Sequence, residues 1–581
     1  MAFFEIALAL NITVVVSPED RKYIDLYIDY RRSLGHNITV LEYEGQTPSQ
    51  LRKQINQTSP EAVAVFGPFS KIPGFEIFPI PENHYSVNSD FYYSDLISNP
   101  DRDGDGYSGE YAHDEVNLTS AIPIGRIPIE GKAIRNWTRR LIFFENTPGS
   151  KTKGDLLLLG AMLFYQNEDG ENYPVDDGGK YLDFVKNSLF NSTEAIKVYE
   201  KEGLVHYNGE STYSLSENFW KEIVFRNIKF ASWSAHGSSD GIWRKIWKID
   251  KGDGVAEFNE MEWINIMPLN YFELPFKKFM PPWWAFVAFS NSCSSYEESR
   301  SFIPEMLRRS AVAIVASTGI VYDISYWKGP NSGGSSSLNY YFWLYFLEKN
   351  TTAGEALLKA KKYYYQHLFK YCDFYLGENP TVNQLNLMGF HLFGDPLMQI
   401  ENNATDAYPP EIVDLSPGFL TSPEIEFLVF DESGINTTSI EVEDSEGKNP
   451  PFKVESSPIT QNIDLMKVRL KESNGILKIS VSASDKKGNT SFLSFEHRLF
   501  YNPEAPHRVW LWPNPFTDSV KVYTSYTGKA KYTLFSASGR KILWGTFKNY
   551  LELSPDVPEG LYFLKIDLPG GTRVLKLVKI R

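Results

Sequence analysis

Over the first 400 residues, short runs that are apolar throughout recur between stretches of helical periodicity, and no other feature limits the fold as strongly. A half-exposed strand alternates apolar and polar side chains, so a continuously apolar run must be covered on both faces. Ile12-Thr13-Val14-Val15-Val16 is the first such run, β-branched and strand-forming. It leads into Ser17-Pro18-Glu19-Asp20, which reads as a helix N-cap with proline at the first helical position and acids in the first turn. Tyr23, Leu26, Tyr30 and Leu34 then repeat at helical spacing, and Gly35 ends the helix. Residues 38–41 and 62–66 read as further strands, with 51–55 in a helix between them. A second series follows Ile122-Pro123-Ile124-Gly125-Arg126, with strands at 156–159, 196–199, 230–234, 285–289 and 312–316. Strand and helix alternating in this way predict an α/β fold with a parallel sheet, in which ligands bind outside the carboxyl ends of the strands.

The pattern changes near residue 405. Ala407-Tyr408-Pro409-Pro410 reads as a linker, and short alternating runs follow, punctuated by turns such as Asp431-Glu432-Ser433-Gly434. A second break falls at Asn502-Pro503-Glu504-Ala505-Pro506. Both segments beyond residue 405 predict small all-β sandwiches. Boundaries are therefore drawn at 1–135, 136–404, 405–503 and 504–581. No apolar run reaches the length of a transmembrane helix. The start, residues 1–16, is apolar but lacks Lys, Arg and a clear cleavage site, and its second half reads as the first strand. The net charge of −14, from 58 basic and 72 acidic residues, argues against a nucleic-acid binder that relies on overall basic charge. Only two cysteines occur, Cys293 and Cys372, which excludes a disulfide scaffold and an all-cysteine zinc site.

Two strand ends carry chemistry. The strand at 230–234 runs into Ala235-His236-Gly237-Ser238, and that at 285–289 into Ser290-Asn291-Ser292-Cys293-Ser294. A thiol at one strand end and an imidazole at another can meet over one crevice, the imidazole shuttling the thiol proton. Taken singly, each residue has a plainer reading, a buried small side chain and a turn histidine. Cys372 lies in a helical stretch beside His367, and both read as structural.

The order and spacing of these elements resemble the gingipain family of caspase-fold cysteine peptidases. His236-Gly237 and Cys293 after apolar strands carry the resemblance. So do Ile124-Gly125-Arg126-Ile127-Pro128 and Glu305-Met306-Leu307 followed by the strand at 311–318. Phe393-Gly394-Asp395-Pro396 and the all-β segment after it complete the pattern. The resemblance implies a caspase-like catalytic domain of two α/β subdomains, 1–135 and 136–404. An immunoglobulin-like domain, 405–503, would follow. It implies Cys293 as nucleophile, His236 as general acid and base, and the backbone N–H groups of Gly237 and Cys293 as oxyanion hole. In this family a third acid supports the histidine. Glu168, Asp169, Glu171, Asp176 and Asp177 are candidates for that role, for a pocket taking a basic side chain, or for a solvated acidic loop. One departure is Tyr296, where the family often has glycine, and it points to an altered site entrance.

Asp101-Arg102-Asp103-Gly104-Asp105-Gly106-Tyr107-Ser108-Gly109-Glu110 alternates carboxylates around a glycine turn, the arrangement that wraps a hard cation. Asp101, Asp103, Asp105, Tyr107 and Glu110 are the candidate ligands, with Asp114 or Glu115 able to replace Glu110. Position twelve is Ala112, so the loop is not an EF-hand. The resemblance implies structural calcium. Val509-Trp510-Leu511-Trp512-Pro513-Asn514-Pro515, Gly560-Leu561-Tyr562-Phe563 and Lys576-Leu577-Val578-Lys579 resemble the C-terminal sorting domain of type IX secretion cargo, over roughly residues 508–581 of the domain at 504–581. That implies export to the bacterial surface or medium through the type IX machinery. The reading is a secreted cysteine endopeptidase acting on protein or peptide substrates. Its alternatives are a sortase-like processor of type IX cargo and an inactive surface-binding protein that keeps the fold.

Overall fold

The computed structural model describes residues 9–579 apart from 81–84, 148–154, 172, 217–218, 220–222, 224–225, 240, 267–284, 297–300, 325–326, 370–379, 401–407, 417–418, 421–422, 445–446, 461, 471–474, 500–508, 513–515, 517–518, 525, 527, 556 and 570. Cys372 lies outside the described residues. The apolar runs build one eleven-stranded sheet from β1 (Asn11–Val16), β2 (Asn37–Glu42), β3 (Ala62–Phe66), β4 (Ile124–Ile127), β5 (Asp155–Gly160), β6 (Ala195–Tyr199), β7 (Tyr213–Ser214), β8 (Ile228–Ser234), β9 (Phe286–Asn291), β10 (Ala311–Ser317) and β11 (Phe390–Gly394). Their spatial order is β7-β6-β5-β8-β9-β10-β11-β4-β3-β1-β2. Every residue of β3, β5, β8, β9 and β10 is buried, as their unbroken apolar character requires.

The sheet is mixed rather than wholly parallel. Strands β5 to β10 are parallel to one another, and so are β1 to β4, but β10 and β11 pair antiparallel. β11 then pairs parallel with β4 through Phe393 and Arg126, so two parallel half-sheets of opposite sense meet at the β10–β11 seam. Helices α1 (Asp25–Ser33), α2 (Pro48–Gln57), α3 (Lys132–Asn146), α4 (Gly178–Leu189), α5 (Phe302–Arg309), α6 (Gly334–Phe346), α7 (Ala353–Tyr363) and α8 (Pro380–Gly389) connect the strands. Among them, α3 and α5 pack on β10, α4 on β5 and β8, and α6 on β9.

One local expectation changes. The first α-helix begins at Asp25, after a 3₁₀ turn at Arg21–Tyr23, and Ser17 does not cap it. Ser17 Oγ bonds the Asp20 carboxylate instead, and that carboxylate also accepts from Lys71 Nζ (2.8 Å) and the Gly131 N–H (2.8 Å). The acid ties three segments together and is not free to serve a helix start.

The two motifs at the seam are structural. Arg126, fully buried, forms a bidentate pair with Asp90 (2.6 and 2.7 Å) and donates to the Gly67 and Ile72 carbonyls. Gly125 lies against β11 so closely that a Cβ there would stand 2.2 Å from the Gly394 carbonyl oxygen. Asp395, one residue beyond β11, reaches back to α1. It takes Arg31 Nε at 2.7 Å, while Arg31 Nη1 pairs with Glu145 of α3 at 3.0 Å. All three charges are buried.

Residues 406–581 belong to a separate unit of mainly antiparallel sheets, with one parallel pair at Phe419–Leu420. Residues 411–499 give two four-stranded sheets. Their shared core includes Phe427, Val429 and Val468 from one sheet and Leu477, Ile479 and Val481 from the other. Residues 509–579 give a three-stranded and a four-stranded sheet around Val520, Val522, Leu534, Leu564 and Ile566. Both are β-sandwiches, as the alternating patterns predict. Among the described residues no helix is long and apolar enough to cross a membrane.

Candidate active site

β8 and β9 are adjacent and parallel, with Ser234 opposite Asn291, so the loops leaving their carboxyl ends start side by side. The first carries His236 and Gly237, which turn into a short three-stranded antiparallel sheet of His236–Ser238, Gly241–Trp247 and Met261–Asn265. The second carries Cys293, followed by Ser294 in the left-handed region at φ 42°. The Ser294 N–H donates to the Gly319 carbonyl at 2.7 Å, which holds that turn. Below it, the hydroxyls of Ser290, Ser292 and Ser295 bond one another, and Trp233 Nε1 donates to Ser290 Oγ at 2.7 Å. A closed polar network of this kind fixes the loop that carries Cys293.

The two loops touch through backbone. A Cβ on Gly237 would lie 2.4 Å from the Cys293 carbonyl oxygen and 2.9 Å from its nitrogen. Only glycine allows this approach. The structure thus brings His236, Gly237 and Cys293 together. The Val321 N–H reaches Cys293 Sγ at 3.4 Å, and burial pushes the thiol pKa up. His236 is pushed down to about 3, first by burial and then by the Lys245 ammonium. Backbone carbonyls of Leu163 and Met162 hydrogen-bond the ring, while Nε2 is buried without a hydrogen-bond partner. Both groups are therefore uncharged at neutral pH, the thiol reaching the Val321 carbonyl at 3.7 Å, and the Nε2 lone pair can accept a proton.

No carboxylate among Glu168, Asp176 and Asp177 is hydrogen-bonded to His236. Glu168 is paired with Lys245 (2.5 Å) and accepts the Tyr165 N–H. Asp177 caps α4 through the Gly179 N–H at 2.9 Å. Backbone carbonyls hold the imidazole in the place where a third acid is expected. Asp176 instead feels the charge of Asp323, an acid that nothing in the sequence singles out. Asp323 lies in the loop after β10 and accepts from Asn291 Nδ2 (3.3 Å) and the Ser336 N–H (3.2 Å). Burial, then the Asp323 and Asp177 carboxylates, push Asp176 up to about 8. Asp169 accepts the Phe258 N–H, and Glu171 N–H closes a turn on the Glu168 carbonyl.

Tyr296 does not alter the entrance. It is buried, stacked on Phe393 of β11 at 4.9 Å and edge-on to Phe69 at 5.6 Å, so it fills the core at the seam. His367 is exposed and lies against the Tyr363 ring at 4.5 Å, remote in role from this site.

In the acidic loop, two groups lie within metal-binding reach, Asp101 with Asp103 and Asp114, and Asp103 with Glu110 and His113. Asp105 belongs to neither, and its carboxylate accepts the Tyr107 N–H at 2.9 Å. Glu110 is buried with Oε2 lacking a hydrogen-bond partner, and burial followed by Asp105 raises its pKa. A buried carboxylate oxygen without a hydrogen bond, 3.6 Å from His113 Nδ1 and beside other carboxylates, fits a hard cation.

A model of peptidase family C25 matches residues 8–401. A solved structure described only as that of a protease is 14% identical, with 84% of this chain and 98% of that chain covered and a TM-score of 0.42. Dimeric latent PorU from Porphyromonas gingivalis is 12% identical, with 99% of this chain and 64% of that chain covered and a TM-score of 0.27. No curated protein matches the chain. With its strand-end cysteine and histidine inside the matched span, the chain belongs to peptidase family C25, the gingipain family of cysteine peptidases.

Proposed function

We propose that the protein is a secreted cysteine endopeptidase in which Cys293 is the nucleophile and His236 the general acid and base. The carrying observation is the close backbone approach of Gly237, which follows His236, to Cys293, together with an imidazole Nε2 that has no hydrogen-bond partner. As the Cys293 sulfur bonds the scissile carbonyl carbon, its proton passes to Nε2. The carbonyl oxygen becomes an oxyanion facing the N–H groups of Gly237 and Cys293. When the C–N bond breaks, the imidazolium gives that proton to the leaving amine. Water then attacks the thioester, His236 takes its proton, and the C–S bond breaks to restore the thiol.

The Asp176–Asp323 pair fits a pocket for a basic side chain at the residue whose carbonyl is attacked. A buried acid whose proton is held up by a neighbouring carboxylate gains most from an incoming cation. Because Asp176 is pushed up to about 8, it is largely protonated below that pH and ionised above it. Peptides with Arg or Lys at that position are expected to gain in kcat/KM as pH rises through about 8, and neutral peptides not to share the gain. Asp176→Asn is expected to flatten the difference and lower kcat/KM for the basic peptides about tenfold or more. Equal turnover of basic and neutral peptides at every pH would remove this pocket assignment.

We also propose structural calcium held by Asp101, Asp103 and Asp114, with Glu110 on the neighbouring side. Millimolar calcium at 100 times Kd stabilises by about 2.7 kcal/mol. Chelation is therefore expected to lower the melting temperature, and Asp103→Ala to abolish that response. A melting curve blind to calcium would contradict the site. Residues 504–581 are proposed as the type IX sorting domain, which predicts that their removal from the chain prevents its appearance at the surface of a type IX-competent bacterium.

A further inference from the structure

Resting on the peptidase reading, we infer that Trp263 and Phe258 form a subsite for an apolar side chain on the leaving-group side of the scissile bond. The imidazole must hand its proton to the leaving amine from Nε2, so the departing half of the substrate has to run past the His236 ring. The Trp263 ring packs against that imidazole, with centroids 4.9 Å apart and edge-on at 62°. Phe258 follows at 6.4 Å from Trp263. Both stay open to solvent, Trp263 at 37% and Phe258 at 69%, whereas Trp233 of β8 and Trp247 are buried.

Their position is fixed by the same backbone that carries the histidine. His236 pairs with Trp243 in the short sheet, and Lys245, two residues on, pairs with Trp263 in the third strand. Phe258 opens the 3₁₀ turn that leads into this strand, and its N–H is anchored on the Asp169 carboxylate at 2.8 Å. Beneath the ring of Trp263, the Lys245 ammonium lies 5.8 Å from its centroid and is committed to Glu168. Two rigid aromatic rings, exposed and set beside a general acid, offer an apolar side chain contact area at small entropic cost. The chemical class of the ligand is a peptide with a large aliphatic or aromatic residue in the first or second position after the cleaved bond.

The test uses internally quenched peptides identical up to the scissile bond and varied at the two following positions among Phe, Leu, Ala and Asp. The full-length protein is expected to show kcat/KM about tenfold higher for Phe or Leu than for Ala. In Phe258→Ala and Trp263→Ala that ratio is expected to collapse towards one, and Trp263→Phe to keep most of it. Phe258 does not touch His236, so its variant separates subsite loss from damage to the imidazole. Labelling of Cys293 by a peptidyl chloromethyl ketone, which occupies only the amino-terminal side, reports the state of the dyad independently. Wild-type protein that is labelled and cleaves, but shows no preference after the bond, overturns the subsite alone. A preference that survives both alanine variants does the same. Protein that is neither labelled nor cleaves any peptide overturns the peptidase reading, and the subsite falls with it.

Discussion

His236→Ala is expected to remain folded and to lose between about 10²-fold and 10⁴-fold in kcat/KM towards peptide substrates. In the proposed mechanism the imidazole supplies both proton transfers, and no described carboxylate is hydrogen-bonded to its Nε2. The pH profile carries a sharper signature. Because burial and Lys245 hold His236 down to about 3, the neutral ring that accepts the thiol proton persists well below the ordinary histidine range. Wild-type kcat/KM is therefore expected to show no loss from histidine protonation between pH 6.5 and 5. Lys245→Met removes the neighbouring positive charge, raises the histidine pKa, and is expected to move the acid limb to higher pH. An acid limb near 6.5 in the wild type would contradict the neutral buried imidazole. The stability sign is the same. The unfolded chain takes up a proton on His236 below about 6.5 while the native chain does not until about 3, so stability falls as pH drops through that window.

Arg31→Ala is expected to destabilise the peptidase unit by about 3–5 kcal/mol, a large share of a domain's stability. The guanidinium is buried against Asp395 and Glu145, and those carboxylates are otherwise served by Tyr27 OH (2.9 Å), Tyr30 OH (2.6 Å) and the Gln399 N–H (2.8 Å). Removing the cation leaves two like charges unpaired away from water, which costs more than the pair contributes when intact. The triple variant Arg31→Met, Asp395→Asn, Glu145→Gln is expected to recover much of the loss. Chemical denaturation monitored by tryptophan fluorescence measures both. A loss under about 1 kcal/mol in Arg31→Ala would mean that the triad does not hold the half-sheets together.

The readable parts of the molecule were those set by local pattern. Unbroken apolar runs located the main strands, since burial on both faces leaves that mark on each strand by itself. The strand-end rule singled out His236 and Cys293 because both follow directly from such runs. It applies equally to Asp323, six residues past β10, but an isolated acid in a loop has no local signature until Asn291 and Ser336 close around it. The support of His236 was illegible for a related reason. A backbone carbonyl can come from any residue type, so nothing at Met162 or Leu163 marks the role. Tyr296 looked like an entrance residue from its spacing to Cys293, whereas its ring is placed by Phe393, far away in sequence. The antiparallel seam is likewise a property of where the chain returns after α8, which no single segment encodes.

The most direct test of the central claim is cleavage of denatured casein by the purified full-length protein, with calcium and reductant present, compared with Cys293→Ala. The expected result is proteolysis by the wild type and none by Cys293→Ala, with both proteins melting at similar temperatures. Unchanged cleavage by Cys293→Ala would contradict Cys293 as the nucleophile.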